Sequence, residues 1–123
     1  MAKILIAEDE RPISELVKRN LMLVGHTAAQ AFDGPCALEM AGAERFDLVL
    51  LDVMLPDIDG FTILRKIREK YTFPVIMLTA KTEYRDKITG LTMGADDYIP
   101  KPFNPLELVA RVKAQMRRYT QYN

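Results

Sequence analysis

The chain has 123 residues and a mass of 14.0 kDa; it is 49% hydrophobic and 28% charged, with 17 Lys and Arg against 17 Asp and Glu. That length excludes a two-domain enzyme with a separate substrate lobe, and the composition excludes both the apolar-poor bias of disorder and the apolar excess of a membrane protein. A single cysteine, Cys36, excludes an internal disulfide and a single histidine, His26, excludes a Cys/His zinc site, so any metal is expected to be a hard ion held by oxygen.

Lys3 to Ala7 is a short apolar run that ends at Glu8-Asp9 and predicts a strand buried on both faces. The first helix opens at Pro12 and closes at Gly25, with Ile13, Leu16, Val17, Leu21 and Val24 on one stripe. His26 then reads as an exposed turn residue ahead of a weaker strand, Thr27 to Ala31, which is poor in β-branched residues. Pro35 and the run Cys36 to Ala43 predict a short second helix in which Cys36 is a small core filler. Leu48 to Leu51 predicts the third strand, ending at Asp52, and Phe61, Leu64, Ile67 and Arg68 predict the third helix after Asp59-Gly60. The basic residues of that stretch, Arg65, Lys66, Arg68 and Lys70, read as a solvated helix face. Val75 to Leu78, introduced by Pro74 and ending at Thr79, predicts the fourth strand. Tyr84, Ile88 and Leu91 mark a fourth helix between Thr82 as N-cap and Gly94 as terminator. Asp97-Tyr98-Ile99 is a short fifth strand. In the fifth helix Asn104, Pro105 and Glu107 read as N-cap, N1 and N3 of a capping box ahead of Leu108, Val109, Val112 and Met116.

Strand and helix thus alternate five times, which predicts a doubly wound (βα)5 sandwich around a five-stranded parallel sheet of order 2-1-3-4-5. In such a sheet ligands bind beyond the carboxyl ends of the strands, where the order reverses between strands 1 and 3. Glu8, Asp9 and Asp52 stand at those two ends. Three converging carboxylates repel one another unless a cation is present, and magnesium, which takes one or two carboxylates and leaves room for phosphate oxygen, suits them. Thr79 and Lys101, beyond strands 4 and 5, add a hydroxyl donor and a cation of the kind an arriving phosphoryl group needs. Each also has an ordinary role: Asp52 as a turn or helix cap, Thr79 as the start of a turn, Lys101 as a solvated cation.

Neutral overall, the chain is electrically split: residues 1–60 hold 11 acidic against 5 basic residues, and residues 61–123 hold 6 against 12. The basic half lacks the aromatic-rich strand of a nucleic-acid surface. No run reaches the ~18 apolar residues of a spanning helix. The acidic trio Glu8-Asp9-Glu10 comes too early for a signal peptide, so a cytoplasmic protein without membrane contact is expected.

Glu8-Asp9, Asp52 within Leu-Leu-Asp-Val-Met-Leu-Pro-Asp-Ile-Asp-Gly, Thr79-Ala80 and Lys101-Pro102-Phe103 together resemble the receiver domain of two-component response regulators, over essentially the whole chain. The resemblance implies that Asp52 accepts a phosphoryl group from the phosphohistidine of a sensor histidine kinase. It implies Mg2+ bound by Asp9, Asp52 and the Met54 carbonyl, with Glu8 acting through water where many receivers carry Asp. It further implies that Thr79 and Lys101 contact the phosphoryl oxygens, that Lys101-Pro102 is a cis peptide, that Tyr98 is a switch aromatic turning inward as Thr79 moves, and that Met54 and Lys81 tune the lifetime of the acyl phosphate. In-line attack by an ionised carboxylate needs charge neutralisation rather than a base, so the lack of a histidine base is no objection.

The expected output surface combines the fourth helix, the fifth strand and the fifth helix. Glu107, Arg111 and Arg118 share one stripe, with Lys87, Asp96 and Asp97 on the neighbouring elements. An isologous dimer would pair Lys87 with Glu107, Asp97 with Arg111 and Asp96 with Arg118; within one monomer the same groups would form surface ion pairs of little worth. The dimer pattern resembles the OmpR/PhoB class, in which residues 1–123 would form a receiver followed by a winged-helix DNA-binding domain, so that DNA is met only through that domain. A narrower similarity, over Lys87 to Thr92 and Pro105 to Gln115, is to glycopeptide-resistance regulators of the VanR type. Three other classes fit less well. A flavodoxin would meet repulsion at Glu8-Asp9-Glu10, a haloacid-dehalogenase phosphatase needs an Asp where Met54 stands, and a pseudo-receiver would lack one of the key residues.

Overall fold

A computed structural model of the chain describes residues 2–79, 88 and 94–122. Its elements are β1 (Lys3–Ala7), α1 (Arg11–Leu23), β2 (Thr27–Ala31), α2 (Gly34–Ala43), β3 (Leu48–Asp52), α3 (Gly60–Arg68), β4 (Val75–Thr79), β5 (Asp97–Pro100) and α4 (Pro105–Tyr122). All strand pairings are parallel and the order is β2-β1-β3-β4-β5, the expected doubly wound sandwich. Of the predicted fourth helix, Tyr84, Leu91 and the cap Thr82 lie outside the described residues, as do Lys81 and Lys87; Ile88 is helical and exposed. The predicted fifth helix is α4.

Strand alternation sorts the apolar side chains into two cores. Leu5, Ala7, Val49, Leu51, Val75 and Met77 face α2 and α3, where Ala37, Ala41, Ile63, Leu64 and Ile67 meet them. Ile4, Ile6, Leu48, Leu50, Ile76 and Leu78 face α1 and α4, where Val17, Leu21, Leu108 and Val112 meet them. Every residue of β3 and β4 is buried, as a central parallel strand covered on both sides requires. Each fully buried Leu or Ile stabilises the fold by about 1.5–3 kcal/mol.

The helices are set by their ends. Beyond α1, Gly25 adopts φ 95°, and the N–H groups of Gly25 and His26 return to the carbonyls of Met22 and Leu21 in a Schellman closure. Asp33 caps α2 by accepting from the Cys36 N–H at 2.7 Å, so that helix begins one residue before Pro35. Asp59 caps α3 through the Thr62 N–H and hydroxyl. The α4 cap differs from the predicted box: the Asn104 side chain accepts from the Leu106 N–H at 2.8 Å, and Glu107 reaches forward to Arg111 instead of back.

Four expectations are corrected. On α1 the buried stripe is Ser14, Val17 and Leu21, whereas Leu16 and Val24 are exposed; the hydroxyl of Ser14 accepts from the Gln30 amide at 2.9 Å, which lets a polar group replace an apolar one on the core side. His26 is half-buried, and its Nδ1 accepts from the Ala2 N–H at 3.2 Å. Cys36 is half-buried beside the Met40 sulfur rather than within the core. Arg68 is not solvated: its guanidinium donates to the carbonyls of Gly94 and Phe73 at 2.9 and 2.7 Å and to Asp96 at 2.7 Å.

Candidate functional site

β1, β3, β4 and β5 end side by side, so the residues that follow their last buried positions collect at one edge of the sheet. Glu8 and Asp52 are buried there and Asp9 is half-buried. One carboxylate oxygen from each of the three lies within 4.8 Å of the others. This donor set is all oxygen and convergent, which fits a hard divalent ion of the magnesium type. The backbone holds the two strand-end acids in place. The Glu8 N–H donates to the Ala31 carbonyl at 3.0 Å, and the Met54 N–H donates to Asp52 Oδ1 at 3.0 Å.

Lys101 supplies the counter-charge. Its Nζ contacts Glu8 Oε1 directly, lies 3.1 Å from Asp52 Oδ2 and reaches Glu10 at 3.6 Å. Its N–H is anchored to the Thr79 carbonyl, and the Lys101-Pro102 bond is cis, as expected. Burial pushes the Glu8 carboxyl up to about 7; its hydrogen bond with Lys101 opposes this and its hydrogen bond with Asp52 reinforces it. Burial pulls the Lys101 ammonium down, but Glu8 and Asp52 together outweigh burial and hold it above the ordinary lysine value. Thr79 is fully buried at the end of β4, paired in register with Pro100. Met54 stands beside Asp52 with its side chain exposed.

Two residues that sequence reasoning passed over shape this edge. A Cβ at Gly60 would lie 2.4 Å from the Asp52 carbonyl oxygen, so only glycine permits the loop to close on the Asp52 backbone. Its signal was the Asp59-Gly60 pair that opens α3. Glu10 is the second, and nothing in its local sequence distinguishes it from any acidic residue in a loop.

The residues expected on the output face divide. Tyr98 is buried in ring and hydroxyl alike, the inward position. Arg111 pairs within the chain with Asp97 at 2.9 Å and with Glu107 at 3.1 Å. Asp96 Oδ2 accepts from Arg68 and from the Val75 N–H. Arg118 is exposed, and Lys87 lies outside the described residues. No helix among the described residues is long and apolar enough to cross a membrane.

Residues 4–113 match the response regulator receiver domain family. The chain is 55% identical over 121 residues, 98% of its length, to the regulatory protein VanRc of Enterococcus gallinarum, and it spans about half the length of the curated relatives it matches. Among solved structures, the receiver domain of the Francisella response regulator 1452 superposes with a TM-score of 0.93 at 35% identity, covering 97% of this chain and 99% of that one. DrrB, an OmpR/PhoB homologue of Thermotoga maritima, superposes with a TM-score of 0.89 at 38% identity, covering 97% of this chain and 54% of that one. With the family match spanning nearly the whole chain and the four strand-end motifs meeting at one edge of the sheet, the protein belongs to the receiver domains of two-component response regulators.

Proposed function

We propose that Asp52 is the phosphoacceptor, taking a phosphoryl group from the phosphohistidine of a sensor histidine kinase in a magnesium-dependent reaction. The observation that carries this reading is the buried Asp52 carboxylate, held at a strand end by Lys101 at 3.1 Å and by the Met54 N–H at 3.0 Å, beside two further carboxylates. A carboxylate oxygen of Asp52 attacks phosphorus, the P–N bond breaks, and its electron pair returns to the imidazole nitrogen of the donor. Glu8, Asp9, Asp52 and the Met54 carbonyl would hold Mg2+, which when bound neutralises charge on the phosphoryl oxygens. Lys101 offers a second positive contact once the group has arrived, and the Thr79 hydroxyl a neutral donor. Water later hydrolyses the acyl phosphate; the exposed Met54 side chain sits where it can govern that access.

The same reading extends to output. Phosphorylation moves Thr79, keeps Tyr98 inward and exposes a dimer surface built from Lys87, Asp96, Asp97, Glu107, Arg111 and Arg118. A winged-helix DNA-binding domain attached to residues 1–123 in a longer parent would then act on a promoter, and the receiver itself would work in the cytoplasm. The likeness to VanRc and to the OmpR/PhoB homologue DrrB supports this assignment.

Intact mass after incubation with acetyl phosphate tests the chemistry. The expected outcome is a gain of about 80 Da that needs both magnesium and Asp52 and is lost in Asp52→Asn. No gain from either acetyl phosphate or a cognate kinase would replace the reading with a receiver that binds partners without phosphorylation.

A further inference from the structure

The edge of the sheet opposite Asp52 carries a cleft that the phosphoacceptor chemistry leaves unused. It lies where α2 runs into β3 and α3 runs into β4, with Tyr119 of α4 forming a third wall. Its volume is about 470 Å³, within the range of small-ligand sites. A shallower extension of about 250 Å³ continues between α2 and α3, sharing Ala41, Gly42, Lys70 and Tyr71 with it.

Its lining is selective in shape and in charge. Phe46 and Phe73 line its floor as buried residues, and Tyr71, stacked on Phe73 with ring centroids 5.3 Å apart and planes inclined by 16°, and Tyr119 are the half-buried rings at its surface. The one carboxylate in the main cavity, Glu44, is neutralised by Lys3 at 2.5 Å. Arg45 and Lys70 are exposed, and neither has an ion-pair partner among the described residues. In the extension Lys66, also without an ion-pair partner among the described residues, stands with Glu69. The cleft therefore offers flat apolar rings together with uncompensated positive charge. That combination recognises a planar ring bearing an anion, through stacking and charge-assisted contacts.

We propose that this cleft binds a small aromatic phosphate of mononucleotide size, its ring against Tyr71 and its phosphate toward Arg45 and Lys70. The volume suits one such unit rather than a strand. The site is independent of Asp52 and gives the receiver a second input at the far edge of its sheet.

Gly42 supplies a clean test, because an added Cβ there meets nothing within 4 Å and a large side chain would grow into the cleft. The full chain is titrated with AMP, adenosine and inorganic phosphate separately, following backbone amides by two-dimensional NMR. AMP is expected to shift Gly42, Arg45 and Tyr71 saturably. Adenosine and phosphate alone should bind about tenfold more weakly or worse. Gly42→Phe should abolish AMP binding while leaving Asp52 phosphorylation unchanged. The double variant Arg45→Ala with Lys70→Ala, at exposed positions that the fold does not need, should weaken AMP binding about tenfold and serves if Gly42→Phe does not fold. The proposal is overturned if AMP moves no cleft amide, if inorganic phosphate alone gives the same shifts, if binding survives in the variants, or if a short oligonucleotide binds far more tightly than AMP.

Discussion

At the scale of single residues, Lys101 and Gly60 define what Asp52 can do. Lys101 is the only cation among the described residues that reaches both buried carboxylates, and its main chain is tied to the end of β4. Gly60 acts through shape alone. Gly60→Ala would drive a methyl group into the Asp52 carbonyl, so the expected outcome is a phosphorylation rate at least about tenfold lower with a stability loss of about 1–3 kcal/mol, read by intact mass and by urea unfolding. His26 gives a pH dependence whose sign follows from its environment. Burial lowers the folded-state imidazole pKa below 6.5, and Nδ1 must be unprotonated to accept from the Ala2 N–H. That stabilisation is complete above pH 6.5 and is lost as the pH falls through the folded-state value, because the unfolded chain takes up the proton first. Denaturation midpoints at about pH 7.5 and 5.5 should fall further in the wild type than in His26→Gln. Glu8, Asp9, Asp52, Thr79 and Lys101 were legible in the sequence because each follows a short apolar run. Gly60 left only the Asp59-Gly60 pair as a signal and Glu10 left none, because their roles arise only when the loops fold onto one another.

Among the elements, strands were read more faithfully than helix faces. A fully buried strand such as Leu48–Asp52 has no ambiguity of face, since Leu48 to Leu51 are all apolar ahead of the terminal Asp52. A helix lying on a sheet is exposed at its margins, which is why Leu16 and Val24 continue the spacing of α1 yet remain outside the core, while Ser14 enters it through its bond to Gln30. Arg68 illustrates the opposite failure. Its charge and helical spacing are those of a solvated residue, but the carbonyls of Phe73 and Gly94 and the carboxylate of Asp96 converge on it only once β4 and β5 pair. It thereby fastens the end of α3 to the starts of both strands. Arg68→Ala is expected to lower unfolding stability by about 2–4 kcal/mol, and Arg68→Lys to recover less than half of that, because an ammonium cannot span the same fork of acceptors. Chemical denaturation of the three proteins checks the ranking.

For the whole molecule, the sheet separates two surfaces, each covered by its own pair of helices. In the proposed dimer, Arg111 must turn from Asp97 and Glu107 of its own chain toward Asp97 of a partner, so association exchanges ion pairs rather than creating them. Little net energy is then available from these contacts. Light scattering of the phosphorylated protein should find a dimer that weakens as salt rises from about 50 to 500 mM, and Arg118→Ala should weaken it further without altering the Asp52 mass gain. The alternation of strands and helices made the architecture readable at this scale. The pairing of Arg111 was not readable, because one spacing serves contacts within a chain and between chains equally well. The place of β3 in the order has a further consequence for time rather than space. Flanked by β1 and β4 and covered on both faces, its amide hydrogens are expected to be among the last to exchange with solvent. Asp52 closes that strand, so in the proposed reaction the group that would change state is mounted on a deeply protected part of the sheet, and a phosphoryl group placed there would be held against a fixed frame.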